Sequence, residues 1–253
     1  MEAPLHFVQL TDLHWQADPD FILRDIYHPR RSFDQVWQHW QAQPEKPDFL
    51  LLTGDLANAQ EPAVYQDLAR LYLQSCPCPV YWLPGNHDLP EWMQSQAKRL
   101  GLCPEKTFVF RGVRLILLDS VEPKRQESHG WLSQAELTFL EDTLRRSQEE
   151  AVVVALHHPP VCVGCDWMDA LRLQNEADFR EIIFRYPAVR AVLFGHVHTE
   201  IDQSEKGIRF LATPSTAYQF KIAPEFAFDA LPPGYRRLWI EASGKLRTEV
   251  VRV

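Results

Sequence analysis

The chain has no apolar run near the ~20 residues that a membrane-spanning helix needs. Its longest runs, such as Ala151 to Leu156, are far shorter. No basic stretch leads into an apolar one at the N-terminus, so no secretory signal is read and the cytoplasm is the expected compartment. Internal repeats and low-complexity segments are missing as well. Cysteine is sparse and odd in number: Cys76, Cys78, Cys103, Cys162 and Cys165. An odd count without a secretory signal argues against a disulfide framework. Cys162-x-x-Cys165 lacks the second Cys or His pair of a structural zinc site, so reduced thiols are expected. Positive charge is short too. The formal net charge is -8, and the basic doublets Arg30-Arg31, Arg145-Arg146 and Arg236-Arg237 are scattered. A basic face for nucleic acid is therefore not expected, nor is a membrane partner.

What remains is an ordinary globular composition. With 253 residues, 45% apolar and 24% charged, the chain can bury a sizeable core, and it is read as one domain over 1–253. Short apolar runs recur at Leu5–Leu10, Phe49–Leu52, Val80–Leu83, Val113–Leu118, Ala151–Leu156, Ala191–Phe194, Ile208–Ala212 and Leu238–Ile240. Near-continuous runs of this length predict strands buried on both faces. Helical spacing lies between them: Phe33, Val36, Trp37 and Trp40; Val64, Leu68 and Leu71; Leu137, Leu140 and Leu144; Phe179, Ile182, Ile183 and Tyr186. Ser32 with Gln35, and Ser133 with Glu136, read as capping boxes, and Leu132 with Leu137 as a hydrophobic staple. Strands alternating with helices predict an α/β layered fold. The Leu231-Pro232-Pro233-Gly234 turn is expected to lead into a hairpin from Arg236 to Val253.

Five of the predicted strands run directly into residues that bind metals. Asp12 and His14 follow the first, Gly54-Asp55 the second and Gly85-Asn86-His87-Asp88 the third. His157-His158 and Gly195-His196-Val197-His198 follow two later ones. The C-terminal strand ends are where open α/β sheets place their sites. Six of the ten histidines fall in these segments, which is hard to reconcile with ordinary loop polarity. Two carboxylates, an amide and four imidazoles suit iron and manganese, or zinc, cobalt or nickel. Seven ligands are too many for one ion and about right for two divalent metal ions. One carboxylate must then bridge, and Asp55 is the natural choice. Bound ions would also supply the positive charge that an acidic chain needs to meet a phosphate.

Read in order, these motifs resemble those of the calcineurin-like metallophosphoesterases, and within them the class III cyclic nucleotide phosphodiesterases that act on 3′,5′-cyclic AMP. Gly164-Cys165-x-Trp167, Ala212-Thr213-Pro214-Ser215-Thr216, Gln219-Phe220-Lys221 and Pro233-Gly234-Tyr235-Arg236 extend the likeness almost to the end of the chain. The resemblance implies a four-layer α/β/β/α sandwich with two mixed sheets. It implies one metal on Asp12, His14 and His198 and the other on Asn86, His157 and His196, with Asp55 between them. His158 is left to packing or to support of its neighbours. His87 is the implied catalytic residue, and His14, Asp55, Asn86, His87 and His198 are the residues that would meet the substrate. One position departs from the pattern. Many relatives carry an Asp three residues after the bridging Asp, where this chain has Asn58, which has no charge to raise the basicity of His87.

The expected reaction is in-line attack of a metal-activated hydroxide on a small cyclic nucleotide, converting 3′,5′-cyclic AMP to 5′-AMP. Another phosphoesterase activity on the same scaffold, a glycerophosphodiesterase or nucleotide-sugar pyrophosphatase, is the alternative. A non-catalytic metal-binding scaffold is the reading from a different class, and the intact ligand set weighs against it. Asn175 and the Thr213–Thr216 segment are either nucleotide contacts or plain polar loop residues. The oligomeric state, a homodimer included, is left open by the sequence.

Overall fold

In the computed structural model, which describes residues 3–58, 60–122, 128–147 and 151–253, the apolar runs become strands. They are β1 (Leu5–Leu10), β2 (Phe49–Thr53), β3 (Val80–Leu83), β4 (Thr107–Phe110), β5 (Val113–Leu117), β6 (Ala151–Ala155), β7 (Val189–Phe194), β8 (Ile201–Glu205), β9 (Ile208–Ala212), β10 (Gln219–Phe220), β11 (Phe228–Asp229), β12 (Gly234–Ile240) and β13 (Leu246–Arg252). The helices are α1 (Pro29–Ala42), α2 (Pro62–Leu71), α3 (Pro90–Gln96), α4 (Gln134–Arg146), α5 (Asp166–Asp169) and α6 (Glu176–Ile183).

One sheet has the order β13-β12-β1-β2-β3 and the other β4-β5-β6-β7-β9-β8. β1, β2 and β3 are mutually parallel, as are β5, β6, β7 and β9, while both sheets end in antiparallel strands. Both sheets are therefore mixed. Period-two alternation divides each strand between two cores. Phe7, Phe49, Leu51, Leu115, Val153 and Leu193 fill the space between the sheets. Leu50 and Leu52 face the other way, onto Phe33, Trp37 and Trp40 of α1, Leu68 of α2 and Met93 of α3. Val152, Val154 and Val192 pack on Leu140 and Leu144 of α4 and on Phe179 and Ile183 of α6. The result is the expected helix, sheet, sheet, helix sandwich. The hairpin of β12 and β13 returns the end of the chain to the side of β1.

Local chemistry explains the departures. β4 and β8 were not expected as strands. They are the edges of the second sheet, and Ile201–Glu205 is mostly exposed and polar, so neither carries a buried run. α1 begins at Pro29, a turn before the expected capping box, and Ser32 lies inside the helix. Pro62 and Pro90 open α2 and α3 in the same way, where a missing N–H costs nothing. Ser133 does cap α4, accepting from Glu136 N at 3.2 Å, but the Glu136 carboxylate turns to Lys106 and Asp119 instead of completing the box. Leu71 is exposed, and Tyr65 takes its place on the buried face of α2. Among the described residues, no helix is long and apolar enough to cross a membrane.

Candidate active site

Parallel strands start at one edge and end at the other, so β1, β2 and β3 deliver their following residues to the same edge, as β6 and β7 do in the second sheet. There the backbone bends sharply. Asp12, His14, Asp55, His196 and His198 all have positive φ, between 45 and 68°. Each such bend in an L-residue costs on the order of 1–2 kcal/mol and persists only where the surroundings hold it. The holding bonds are visible. Asp12 N donates to Gly54 O at 3.0 Å, His14 N to Asp55 O at 2.9 Å and Gly195 N to His157 O at 3.0 Å. Gly54 has φ +94°, and a Cβ on it would lie 2.4 Å from His157 Nδ1, so no larger residue fits the turn before Asp55.

These bends bring all seven expected ligand side chains together. His14 Nε2 and His198 Nε2 are 3.0 Å apart, and His198 Nε2 is 3.2 Å from Asp12 Oδ1. His157 Nε2 is 3.4 Å from Asp55 Oδ2 and 3.3 Å from His196 Nδ1, which is 3.1 Å from Asn86 Oδ1. Asp55 stands between the two groups, with Oδ2 also 3.8 Å from His14 Nε2. His87 N donates to Asp55 Oδ1 at 2.9 Å, and its ring meets His14 edge-on at 5.0 Å.

The ring tautomers are set from outside the cluster. His157 Nδ1 donates to Thr53 O at 2.8 Å and His198 Nδ1 to Tyr218 O at 2.9 Å, leaving Nε2 of each to face the carboxylates as an acceptor. Acceptors facing acceptors, around two carboxylates that among the described residues have no Lys or Arg within salt-bridge range, are a donor set suited to a divalent cation. The proton affinities of the metal-free chain carry the same signature. Burial lowers His157, but Asp55 and Asp12 outweigh it and raise the ring to about 9. Burial, with neighbouring imidazoles, pushes His14 and His196 down to about 3. Burial would raise Asp12, yet His198 brings it to about 2. A proton on His157 occupies ground that a cation would otherwise neutralise.

Supporting residues complete the floor. Asp88 is buried and accepts from Gly85 N at 2.9 Å, Leu56 N at 3.0 Å, Ala57 N at 3.2 Å and Tyr65 OH at 3.1 Å, binding the β2 and β3 loops into one unit. Burial and nearby Asp55 raise its carboxyl to about 6. The tandem histidines make different contacts, although both offer ring nitrogens within 4.8 Å of one on His196. His157 reaches both carboxylates, whereas His158 Nδ1 shares a 2.8 Å bond with Ser120 Oγ and its ring lies beside His196.

Three positions that the sequence left open or marked as departures can be placed. Asn175 is not in the site; its amide clamps Leu132 N and O at 3.0 and 2.9 Å. Thr213 and Ser215 lie beneath the site, where Ser215 Oγ donates to Asp12 O at 2.7 Å and Thr213 Oγ1 to Gln9 Oε1 at 2.6 Å. Asn58 is exposed, and among the described residues no hydrogen bond joins it to His87. The five cysteines are unbonded thiols. Sequence reasoning missed the aromatic side chains around the histidines. A cavity of about 230 Å³ is lined by His14, Asp55, Asn86, His87, His196 and His198 together with Trp167, Met168, Leu171, Tyr218, Phe220 and Phe226. The density of aromatics from Tyr218 to Phe228 was the available signal.

Comparison with known proteins agrees with this geometry. The chain is 36% identical to the 3′,5′-cyclic adenosine monophosphate phosphodiesterase CpdA of Escherichia coli K12, over 100% of this chain and 91% of that protein. It is 35% identical to a 3′,5′-cyclic-nucleotide phosphodiesterase of Nostoc, over 100% of this chain and 94% of that protein. A dimetal phosphatase from Danio rerio shares the fold, with a TM-score of 0.68 at 16% identity and 99% of each chain covered. Residues 5–200 match the calcineurin-like phosphoesterase family, and the chain belongs to it.

Proposed function

We propose that this protein hydrolyses 3′,5′-cyclic AMP to 5′-AMP, using the whole chain as one phosphoesterase unit. The observation that carries the reading is the convergence of Asp12, Asp55, Asn86 and four imidazoles in one cluster that opens on a cavity, with His87 at its side. Full-length relatives that carry the name of cyclic AMP phosphodiesterase support the choice of substrate.

Asp12, His14 and His198 would hold one divalent ion and Asn86, His157 and His196 a second, with Asp55 shared; iron and manganese suit this oxygen and nitrogen set best. When bound, such ions supply positive charge to the phosphoryl group and acidify water. The remaining work falls to the chain. The Thr53 and Tyr218 carbonyls keep His157 and His198 turned inward. Hydrolysis adds water across the bond between phosphorus and the ribose 3′ oxygen. That oxygen is a poor leaving group as an alkoxide, and the ring of His87 is the group placed to give it a proton as the bond breaks. Asp55 holds the His87 backbone and so fixes where that proton is presented. With five free thiols and a cyclic nucleotide substrate, cytoplasmic residence goes with the proposal.

The deciding experiment is a side-by-side measurement of kcat/KM on cyclic AMP, a glycerophosphodiester, a nucleotide sugar and a phosphomonoester, with metal content determined on the same preparation. Cyclic AMP should lead. Preference for any of the others would replace the proposed substrate, and no turnover of any ester by a metal-loaded sample would end the enzymatic reading.

A further inference from the structure

We infer that Trp167 and Phe226, whose rings meet edge-to-face at 5.1 Å, form one side of a slot against which the nucleobase of the substrate stacks. This rests on the cyclic-nucleotide reading and adds a specificity site to it. The cavity has two kinds of lining. His14, Asp55, Asn86, His87, His196 and His198 supply its polar side, and among the described residues the aromatic and aliphatic remainder of the lining carries no charged side chain. A phosphate drawn to the polar side places the rest of the molecule against that remainder.

The aromatic rings of that remainder are not equivalent. Phe220 lies flat on His198, with centroids 4.2 Å apart and planes 16° apart, and Tyr218 lies on His14 at 5.2 Å and 19°. Those two rings already use a face to brace histidines. Phe226 instead meets Trp167, Phe220 and Phe228 at 71, 61 and 81°, so no ring stacks on it, and it is 51% exposed. Trp167 likewise meets Phe220 and Phe226 steeply, at 81 and 71°. Such rings at the mouth of a polar cavity offer π-faces to a flat heterocycle.

The slot is built in advance. Asp169 accepts from the backbone N–H of Val163, Gly164 and Cys165 and so fixes the turn leading to Trp167. Cys165 Sγ donates to Ala223 O at 2.9 Å, tying that turn to the loop that carries Phe226. Pairing of Phe220 with Phe228 closes the loop from the other side. A slot held this way loses little entropy on binding. An aromatic wall can also attract a quaternary ammonium, but among the described residues no carboxylate on that side would balance one.

The test uses the metal-loaded protein with Phe226→Ala, Trp167→Ala and Phe226→Trp. KM for cyclic AMP and the calorimetric Kd for 5′-AMP should rise about 5- to 50-fold in the alanine variants, as lost base stacking predicts. The value of kcat should hold, because stacking contributes equally before and during reaction. The Kd of ribose 5-phosphate, which has no base, should not move, and Phe226→Trp should restore tight binding. An unchanged KM in both alanine variants, or an equal loss for ribose 5-phosphate, overturns the slot and leaves the cyclic AMP activity standing. A wild type that prefers glycerophosphocholine overturns the substrate reading itself. Thermal melting of each variant checks that the fold is intact, which is expected for Phe226 at the cavity mouth.

Discussion

Gly85 lies so close to Asp55 that a β-carbon on it would stand 2.1 Å from Asp55 Oδ1 and 2.4 Å from Asp55 N. The carboxylate proposed to join the two metal positions is therefore placed by a residue of the neighbouring strand loop that has no side chain. Gly85→Ala is predicted to displace Asp55, cost about 1–3 kcal/mol of stability and abolish activity. Urea unfolding and metal analysis check it. Wild-type turnover would show that Asp55 can move without consequence.

Asp55→Asn probes the same residue without the steric change. Its Oδ2 lies 3.4 Å from His157 Nε2 and 3.8 Å from His14 Nε2, one ring in each proposed metal group. Removing the shared negative charge should lower metal content and leave almost no activity. A variant that retains two tightly bound metals per chain with normal turnover would remove Asp55 from its assigned role.

His87 is predicted to act on the leaving group. In His87→Ala, metal content and melting temperature should stay near wild type, while kcat on cyclic AMP falls by about 10²–10⁴-fold. The loss should be smaller on bis(p-nitrophenyl) phosphate, because a nitrophenolate needs little protonation. Equal losses on both substrates would point to stabilisation of phosphoryl charge. An unchanged kcat on cyclic AMP would exclude both roles and leave His87 as a neighbour of Asn86.

The metal-free protein should be most stable near neutral pH. His14 and His196 are held at about 3, below their ordinary 6.5, so the unfolded chain takes up protons first and stability falls as pH drops below 6.5. Each group contributes about 1.4 kcal/mol per pH unit in that window. His157, raised to about 9, has the opposite sign: its contribution is complete below 6.5 and is lost as pH rises through about 9. Chemical unfolding of chelator-treated protein at pH 5, 7 and 9 should give a maximum at 7. A stability that does not change between pH 7 and 5 would show that these rings are not buried neutral.

Local pattern alone determined the strands, because a strand buried on both faces must be apolar throughout; Leu5–Leu10 and Val80–Leu83 have the expected bounds. The same logic put Asp12, His14, Asp55, Asn86, His157, His196 and His198 at strand ends, since a residue that leaves a sheet is free to be polar. The edge strands β4 and β8 were not legible, because one exposed side removes the hydrophobic signal. Local pattern did not separate His157 from His158, which are adjacent in the chain and identical in type; the family resemblance gave the ligand role to His157. The structure adds the approach of Asp55 from another strand to His157 and of Ser120 to His158. Asn175 and Thr213 stayed open between substrate contacts and plain polar residues because polarity in a sequence has no direction, and the tertiary structure turns both toward the backbone and buried polar groups. The aromatic wall of Trp167 and Phe226 was decided last of all. Its two rings are 59 positions apart and meet where a thiol of one loop binds a carbonyl of the other.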